Sequence, residues 1–549
     1  MAERILIGTA WPYANGPLHL GHIAGCYLPA DTFARYQRLM GNEVLMVSGS
    51  DAHGTPITVR ADQEGVEPAV IAERYHQSFL DSWKRLGISF DLFTSTHTAN
   101  HEAVTQDFFL RMREQGYIYT QVMQAPYCPN EKRFLPDRYV EGTCPHCSSG
   151  ARGDQCDHCG RTLSPTELLQ AHCKFCGATP ETRDTEHFFF KLSAFEDRLR
   201  EWVSDKTYWK HNVMNFTKAF LEEGLRDGPI TRDMTWGVPI PVPGYETKRI
   251  YVWFEAVIGY LSATKEWAQD KGKPDDWKRF WMEPCRIYNF IGKDNIVFHT
   301  LRWPAYLLAV GGLNMPYDVP ANEFLTLSGR QLSTSRNWAV WVPDYLERYD
   351  PDALRYVLSI NSPETNDADF SWEEFLKRNN NELVAAYGNL VNRCVTFVQK
   401  HFDGVPPATR TEADEALLHR AREAVPRIGD LIGLCRFKEG MREIMALTRE
   451  GNVYFDAQEP WKTVKTDKAR AGTALNTTLN FINVLKVLFY PYLPFSSEKL
   501  HRMLGYSDSV EQHGWKAEEL PAGHKLGTPE PLFKKLEPTI VDEENARLG

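Results

Sequence analysis

The sequence predicts an α/β protein: a doubly wound parallel-sheet domain, split by a cysteine-rich insertion and followed by an all-α bundle. Three observations carry this. Residues 1–115 alternate strand and helix patterns, short β-like runs and C-x2-C pairs take over from Gly116, and helical periodicity is nearly continuous from Glu382 to about Leu504. At 549 residues the chain is too long for one core and divides into about three or four domains. Its 42% hydrophobic and 24% charged content is that of a soluble globular protein. There is no apolar run of membrane-spanning length and no leader pattern, so no membrane partner and a cytoplasmic location are expected. A net charge of -10 gives no general support for nucleic-acid binding, although residues 376–475 hold more Lys and Arg than Asp and Glu. No internal repeat or low-complexity segment is present.

The apolar run Ile5 to Ile7 leads through Thr9-Ala-Trp-Pro-Tyr-Ala-Asn-Gly-Pro-Leu-His-Leu-Gly-His22 into an amphipathic segment ending near Gly41. This reads as a strand, a Pro/Gly turn and a helix start. His19 and His22 are three apart in the first helical turn, so their rings share a face where free N–H groups and the dipole attract anions. Gly21 removes a side chain where a flat group can approach the backbone, and two imidazoles can donate to a phosphate. The plain alternative is a pair of solvated histidines beside a turn. Glu43 to Val47 reads as a buried strand ending in small residues, after which Asp51 can hold a cationic group or cap the next turn. Helices follow over Pro68 to Leu86 and His101 to Gln115.

Six of the eleven cysteines stand in C-x2-C pairs, which suits metal ligands in a reducing compartment better than disulfides. Cys144-Pro-His-Cys147 and Cys156-Asp-His-Cys159 make two knuckles able to enclose one tetrahedral Zn2+ through four thiolates. Such a closed site has no open position, so its role is structural. A third pair, Cys173 and Cys176, has only Cys128 as a companion.

The insertion ends near Asp184-Thr-Glu-His-Phe-Phe-Phe190, with helices to about Gly224. Sheet-like patterning returns at Ile230 to Gly237, where Arg232 can pair with phosphate by its planar fork or with a surface carboxylate. Trp253, Ala256 and Tyr260 recur at three and four residues, an aromatic wall with a small gap that suits a polarizable thioether, or else a core face. The predicted strand Arg286 to Phe290 enters Phe290-Ile-Gly-Lys-Asp-Asn-Ile-Val-Phe-His299. There Asp294 can bind ribose hydroxyls, Gly292 gives backbone access and Lys293 can support phosphates, or the two charges form a surface pair. A Ser/Thr-rich run, Leu325-Thr-Leu-Ser-Gly-Arg-Gln-Leu-Ser-Thr-Ser-Arg336, precedes a connection with a helix at Asp352 to Leu358. In the bundle, Asn389 and Arg393 lie four apart on the exposed face of a helix whose core stripe includes Leu383, Leu390 and Val398. Trp461, with Lys462 and Lys465, offers a stacking surface beside cations. Read without context, Trp461 is core and Asn389 a solvated polar residue. The turn-rich chain beyond Val510 packs back on the body.

In this order and with these gaps, the motifs resemble the class I aminoacyl-tRNA synthetases, and the methionyl-tRNA synthetases in particular, over nearly the whole chain. His19-Leu-Gly-His22 resembles the HIGH signature, Pro12-Tyr-Ala-Asn-Gly16 and the Asp51 run resemble the methionyl enzymes, Phe290 to His299 resembles the GKD run, and Leu325 to Arg336 stands at the KMSKS loop. The resemblance implies a class I synthetase nucleotide-binding (Rossmann-like) domain in two halves, 1–115 and 229–322. A connective zinc-knuckle insertion occupies 116–228, a KMSKS-loop connection 323–375, and an α-helical anticodon-binding domain with its tail 376–549. It implies a ligase of protein biosynthesis that activates L-methionine with ATP and Mg2+ to methionyl-adenylate and pyrophosphate. Methionine then passes to the 3' end of initiator and elongator tRNA(Met). A monomer is expected. ATP would be bound by His19, Gly21, His22, Arg232, Gly292, Lys293, Asp294 and Thr334, and the chemistry served by His19, His22, Ser333, Thr334, Ser335 and Arg336. Methionine would lie among Ala10, Trp11, Tyr13, Asp51, Trp253, Ala256, Tyr260 and His299, and the anticodon on Asn389, Arg393 and Trp461.

The sequence departs from the family pattern in four places. Trp11 stands where leucine is usual, Val257 where proline is usual, and Gln331 and Thr334 replace the two lysines of KMSKS. A neutral side chain weakens charge stabilisation of departing pyrophosphate unless Arg330 or Arg336 compensates. Some relatives carry a second knuckle; here Glu131 takes the place of the missing thiol, and a second zinc through Cys128, Glu131, Cys173 and Cys176 is not expected. The insertion is too short for the editing domain of the isoleucyl, valyl and leucyl relatives. Two rivals stay open: a nucleotidyltransferase with a similar His-x-Gly-His turn and no RNA, and a non-catalytic tRNA-binding homologue consistent with Gln331 and Thr334.

Overall fold

The computed structural model describes residues 2–549 except 154, 155, 157, 160, 162 and 335, with only the backbone described at Asp137. Its centre is a sheet of five parallel strands, β1 (Arg4–Thr9), β2 (Glu43–Ser50), β3 (Leu92–Ser95), β4 (Arg286–Gly292) and β5 (Ala321–Asn322), in the order β5-β4-β1-β2-β3. Ile5 of β1 lies opposite Val44 on one side and Arg286 on the other. Winding therefore reverses between β1 and β4, and the crevice beyond the carboxyl ends of strands at such a reversal is where ligands bind in these sheets.

The helices of the first half are α1 (Leu28–Leu39), α2 (Thr55–Glu64), α3 (Pro68–Leu86) and α4 (Ala99–Glu114). α4 starts ahead of the predicted His101 because the Thr98 hydroxyl accepts from the His101 N–H and caps it. α2 and β3 are additions to the sequence reading, both short and neither strongly periodic. The insertion is a long antiparallel hairpin, Ile118–Cys128 against Glu181–Phe190, which carries the cysteine lobe between its arms. The sheet-like pattern at residues 230–237 reduces to Thr231–Arg232 paired with Arg249–Ile250, since Gly237, at φ 137°, turns the chain away.

The chain then supplies α5 (Val252–Asp270), α6 (Pro351–Ile360), α7 (Asn389–His401), α8 (Glu412–Gly433), α9 (Phe437–Gln458) and α10 (Lys468–Phe489), the last four packed as a bundle. Leu383, Leu390 and Val398 are buried, as the predicted stripe requires. One apolar core runs from α1 through α6 into the bundle. No described helix is long and apolar enough to cross a membrane.

A buried charge cluster ties these parts together. Arg355 of α6 is fully buried and donates to Asp31 of α1 at 2.6 Å, to the Leu86 carbonyl at 3.3 Å, and to the carbonyls of Pro491 and Tyr492 after α10 at 3.1 and 2.6 Å. Burial alone would raise the Asp31 carboxyl, but Arg35, Arg355 and the Ser89 donors more than offset this and hold it well below the usual range. Removing one partner of such a buried pair leaves an uncompensated charge, so Arg355→Met is expected to destabilise the protein by about 3 kcal/mol, read as a lower thermal midpoint. Because a depressed carboxyl stabilises above its unfolded pKa, the wild-type advantage should shrink as pH falls below about 4. An unchanged midpoint at neutral pH would refute the coupling.

Candidate active site

The stretch after β1 crosses the crevice mouth. His19 takes the N-cap position of a short turn, Leu20–His22, that continues through a π-helical turn, Ile23–Tyr27, into α1. The His19 ring accepts from the Gly21 N–H through Nδ1 at 3.1 Å, and the His22 Nδ1 accepts from the His19 N–H at 3.1 Å. A neutral imidazole that accepts at Nδ1 carries its proton on Nε2. Burial holds both rings neutral: it pulls His22 to about 4, and with the neighbouring His22 it pulls His19 well below its ordinary value. The rings lie 3.9 Å apart between centroids. Two Nε2–H donors are thus fixed side by side at a helix N-terminus, an arrangement that fits phosphate oxygens.

Beside it, the start of α5 packs on β2, and these two elements carry most of the predicted methionine pocket. Asp51 follows β2 and is buried, bridged through its backbone to Tyr13 and approached by the His53 N–H at 3.4 Å. Burial, then the nearby Glu255, raises its carboxyl well above the ordinary value. An anionic form needs a cation, and no ion-pair partner for Asp51 occurs among the described residues. Trp253 and Ala256 are partly exposed among the mostly buried residues of α5's first turns, and the Trp253 indole donates to Tyr13 at 2.7 Å. Tyr260 meets His299 at 2.7 Å, and the other His299 nitrogen donates to the Asn295 carbonyl at 2.9 Å. The unprotonated His299 Nε2 therefore accepts from Tyr260, and burial pulls the ring to about 4. Ala10 receives the Tyr27 hydroxyl on its carbonyl at 2.7 Å. His299 lies in a second π-helical turn, Phe298–Arg302, a local geometry frequent at functional sites.

In the second half, β4 ends at Gly292, and Asp294 follows in a single 3-10 turn, Lys293–Asn295, with its carboxylate 2.8 Å from a Cβ added at Gly292. Lys293 reaches away, to Glu323 at 2.7 Å and Asp367 at 2.8 Å. Arg232 stacks 3.7 Å above Tyr251 and donates to the carbonyls of Pro229 and Thr231. Beyond Leu325–Leu327 the loop folds onto the histidine turn: the Leu332 side chain lies 2.7 Å from a Cβ added at Gly21, and Ser333 and Trp338 exchange two backbone hydrogen bonds at 2.9 Å. Thr334 and Arg336 are exposed in that hairpin, and Ser335 lies outside the described residues. In the bundle, Asn389 is exposed at the start of α7, while Arg393 lies 4.9 Å above Trp461 and 4.8 Å above Phe455 and pairs with Asp456 at 3.0 Å.

The sulfurs of Cys144, Cys147, Cys156 and Cys159 lie within 4.8 Å of one another, with Cys144 to Cys159 at 3.9 Å and Cys147 to Cys156 at 3.5 Å. Four sulfurs around one Zn2+ at 2.3 Å would be about 3.8 Å apart, so the donor set fits that ion. Cys128, Cys173 and Cys176 also converge, with Cys128 to Cys176 at 3.4 Å, while the Glu131 carboxylate pairs with Arg133 at 3.7 Å.

Residues 5–395 match the family described as tRNA synthetases class I (M), and residues 405–549 match the anticodon binding domain of methionyl tRNA ligase. The chain belongs to the class I (M) tRNA synthetases. It is 56% identical to a methionine–tRNA ligase of Dehalococcoides mccartyi over 552 residues, covering 100% of both chains, and 53% identical to that of Thermomicrobium roseum, covering 100% of this chain and 99% of the other. Among solved structures, Mycobacterium tuberculosis methionyl-tRNA synthetase in complex with methionyl-adenylate is similar with a TM-score of 0.80, at 27% identity, covering 97% of this chain and 99% of that one.

Against the class I (M) pattern, Trp11 is accommodated by two glycines. A Cβ on Gly49 would lie 2.2 Å from the indole and one on Gly259 2.6 Å from it, so the ring is wedged between β2 and α5. Overpacking costs about 1–3 kcal/mol, so Gly259→Ala is expected to raise the methionine KM about tenfold, and adding Trp11→Leu should recover most of it. Additive losses in the double variant would show that the wedge does not shape the pocket. Val257 is buried in the apolar cluster that includes Phe254, Ile258 and Tyr260.

Proposed function

We propose that the chain is a methionine–tRNA ligase acting in two steps on one crevice. The methionine carboxylate attacks the α-phosphorus of ATP and pyrophosphate leaves; a ribose hydroxyl at the 3' end of tRNA(Met) then takes methionine from the adenylate. The observation that carries this is the pair of Nε2–H donors on His19 and His22, together with a buried Asp51 carboxyl that has no ion-pair partner among the described residues, at the point where the sheet reverses. Asp51 holds the α-ammonium, and Trp253, Ala256, Tyr260 and His299 enclose the thioether. His19 and His22 donate to phosphate as its charge develops, with no enzyme nucleophile needed. Gly292 and Asp294 receive the nucleoside, Arg232 and Thr334 add contacts to ATP, Lys293 joins them by exchanging Glu323 and Asp367 for phosphate, and Mg2+ enters with ATP. Asn389, Arg393 and Trp461 read the anticodon. The enzyme works as a monomer in the cytoplasm.

Methionine-dependent exchange of pyrophosphate into ATP, with leucine, isoleucine and cysteine as controls, tests the reading; charging of tRNA(Met) follows. Exchange with methionine alone supports it. No exchange with any amino acid, in folded zinc-replete protein, would overturn it in favour of a tRNA-binding protein without catalysis.

Cys144, Cys147, Cys156 and Cys159 hold a structural zinc that orders the lobe between the hairpin arms. Metal analysis is expected to find zinc retained on dialysis and lost in Cys144→Ser/Cys156→Ser, with a lower thermal midpoint. Undiminished zinc in that variant would sink the assignment.

A further inference from the structure

One buried carboxylate beside the pocket has no part in the scheme above. Glu255 is in the first turns of α5, between Trp253 and Ala256, and is fully buried. Its two oxygens lie 2.9 and 3.1 Å from Nδ1 of His53, and one lies 3.4 Å from Nε2 of His101. His53 is two residues beyond Asp51, and its own N–H reaches the Asp51 carboxylate at 3.4 Å. Trp236 packs on the His53 ring at 5.4 Å and donates to the Ala52 carbonyl at 2.8 Å, closing the same loop from above. His101, on α4, bonds Ser262 of α5 at 2.8 Å and stands 6.2 Å from the Trp11 ring. Three elements, the loop after β2, α4 and α5, therefore meet on a single carboxylate. A leucine would fill this place without the cost of burying a charge, and a charge kept in such a setting has to be matched by directed hydrogen bonds.

We propose that Glu255 is a positioning residue for the substrate ammonium: by fixing the His53 ring it sets where the Asp51 carboxylate stands relative to Trp253 and Ala256. This rests on the assignment of Asp51 to the ammonium. Glu255 touches no reacting atom, so its loss should appear in recognition of the amine rather than in the chemical step.

The test compares Glu255→Gln with wild type, using methionine and its desamino analogue, 4-(methylthio)butanoate, the latter as an inhibitor of exchange. The hydrogen bond from His53 to a charged carboxylate is weakened in this variant, so the methionine KM should rise about tenfold or more. The maximal exchange rate, the ATP KM and the inhibition constant of the desamino analogue should stay near wild-type values. Should Glu255→Gln fail to fold, His53→Asn, which keeps a short amide donor, is expected to show the same amine-selective loss. An unchanged methionine KM, or equal weakening of both ligands, overturns the proposal alone. Absence of methionine-dependent exchange in the wild type overturns the methionine reading and this proposal with it.

Discussion

Replacing His22 with alanine is expected to slow methionine-dependent pyrophosphate exchange about 10²- to 10³-fold, with the methionine KM nearly unchanged. The expectation follows from how the two rings are held. Each Nδ1 is occupied by a backbone N–H, from His19 and Gly21, so each Nε2–H is aimed before substrate arrives and needs no reorganisation as phosphate charge builds. The tautomer gives a sharper test than the alanine variant. Glutamine places an amide N–H near the reach of Nε2, whereas asparagine places one near Nδ1, so His22→Gln should retain more activity than His22→Asn. The reverse order would show that the proton is on the other nitrogen. Burial pulls His22 from 6.5 to about 4 in the folded chain. The unfolded chain then binds the proton more readily, so the stability due to the neutral ring is complete above pH 6.5, is lost as pH falls toward 4, and changes no further below that. A thermal midpoint followed over that range in wild type and His22→Gln checks the sign.

The parts legible in the sequence were those whose physics is local. A strand, a Pro/Gly turn and a helix start within residues 4–39 read directly, as did the two cysteine knuckles, because strand and helix periods and ligand spacings span only a few residues. Glu255 was missed: its partner His53 is 202 residues away, and only the oddity of a charge inside the apolar run Tyr251 to Tyr260 signalled it. Lys293 reads as a phosphate cation or as half of a surface pair with Asp294, and nothing local in the sequence signals its ion pairs with Glu323 and Asp367, 30 and 74 residues on. The fit of Trp11 depended likewise on glycines at 49 and 259, which have no local pattern of their own. β3 was invisible because it is four residues long and owes its pairing to β2 rather than to its own alternation.

Arg336→Ala is expected to reduce adenylate formation about 10²-fold or more, whereas Arg330→Ala should cost less than about tenfold. With Gln331 and Thr334 in place of lysines, the loop facing the histidine turn has only these two arginines to offer departing pyrophosphate. Their settings differ. Arg330 pairs with Leu327 at the base of the hairpin and its guanidinium lies 4.9 Å above the Trp338 ring, so part of its charge is spent on that face. Arg336 stands at the exposed tip closed by Ser333 and Trp338, next to Asn337 in a left-handed turn at φ 51°, and has no ion-pair partner among the described residues. Lys293, already held by two carboxylates, is a poor substitute. Arg336→Lys should retain more activity than alanine, since a point charge at the tip serves pyrophosphate even without the planar fork. Single-turnover adenylate formation separates the loss from substrate binding. Equal, near-wild-type rates in both alanine variants would mean that neither arginine replaces the missing lysines, and that the histidine pair and Mg2+-bound ATP suffice for the leaving group.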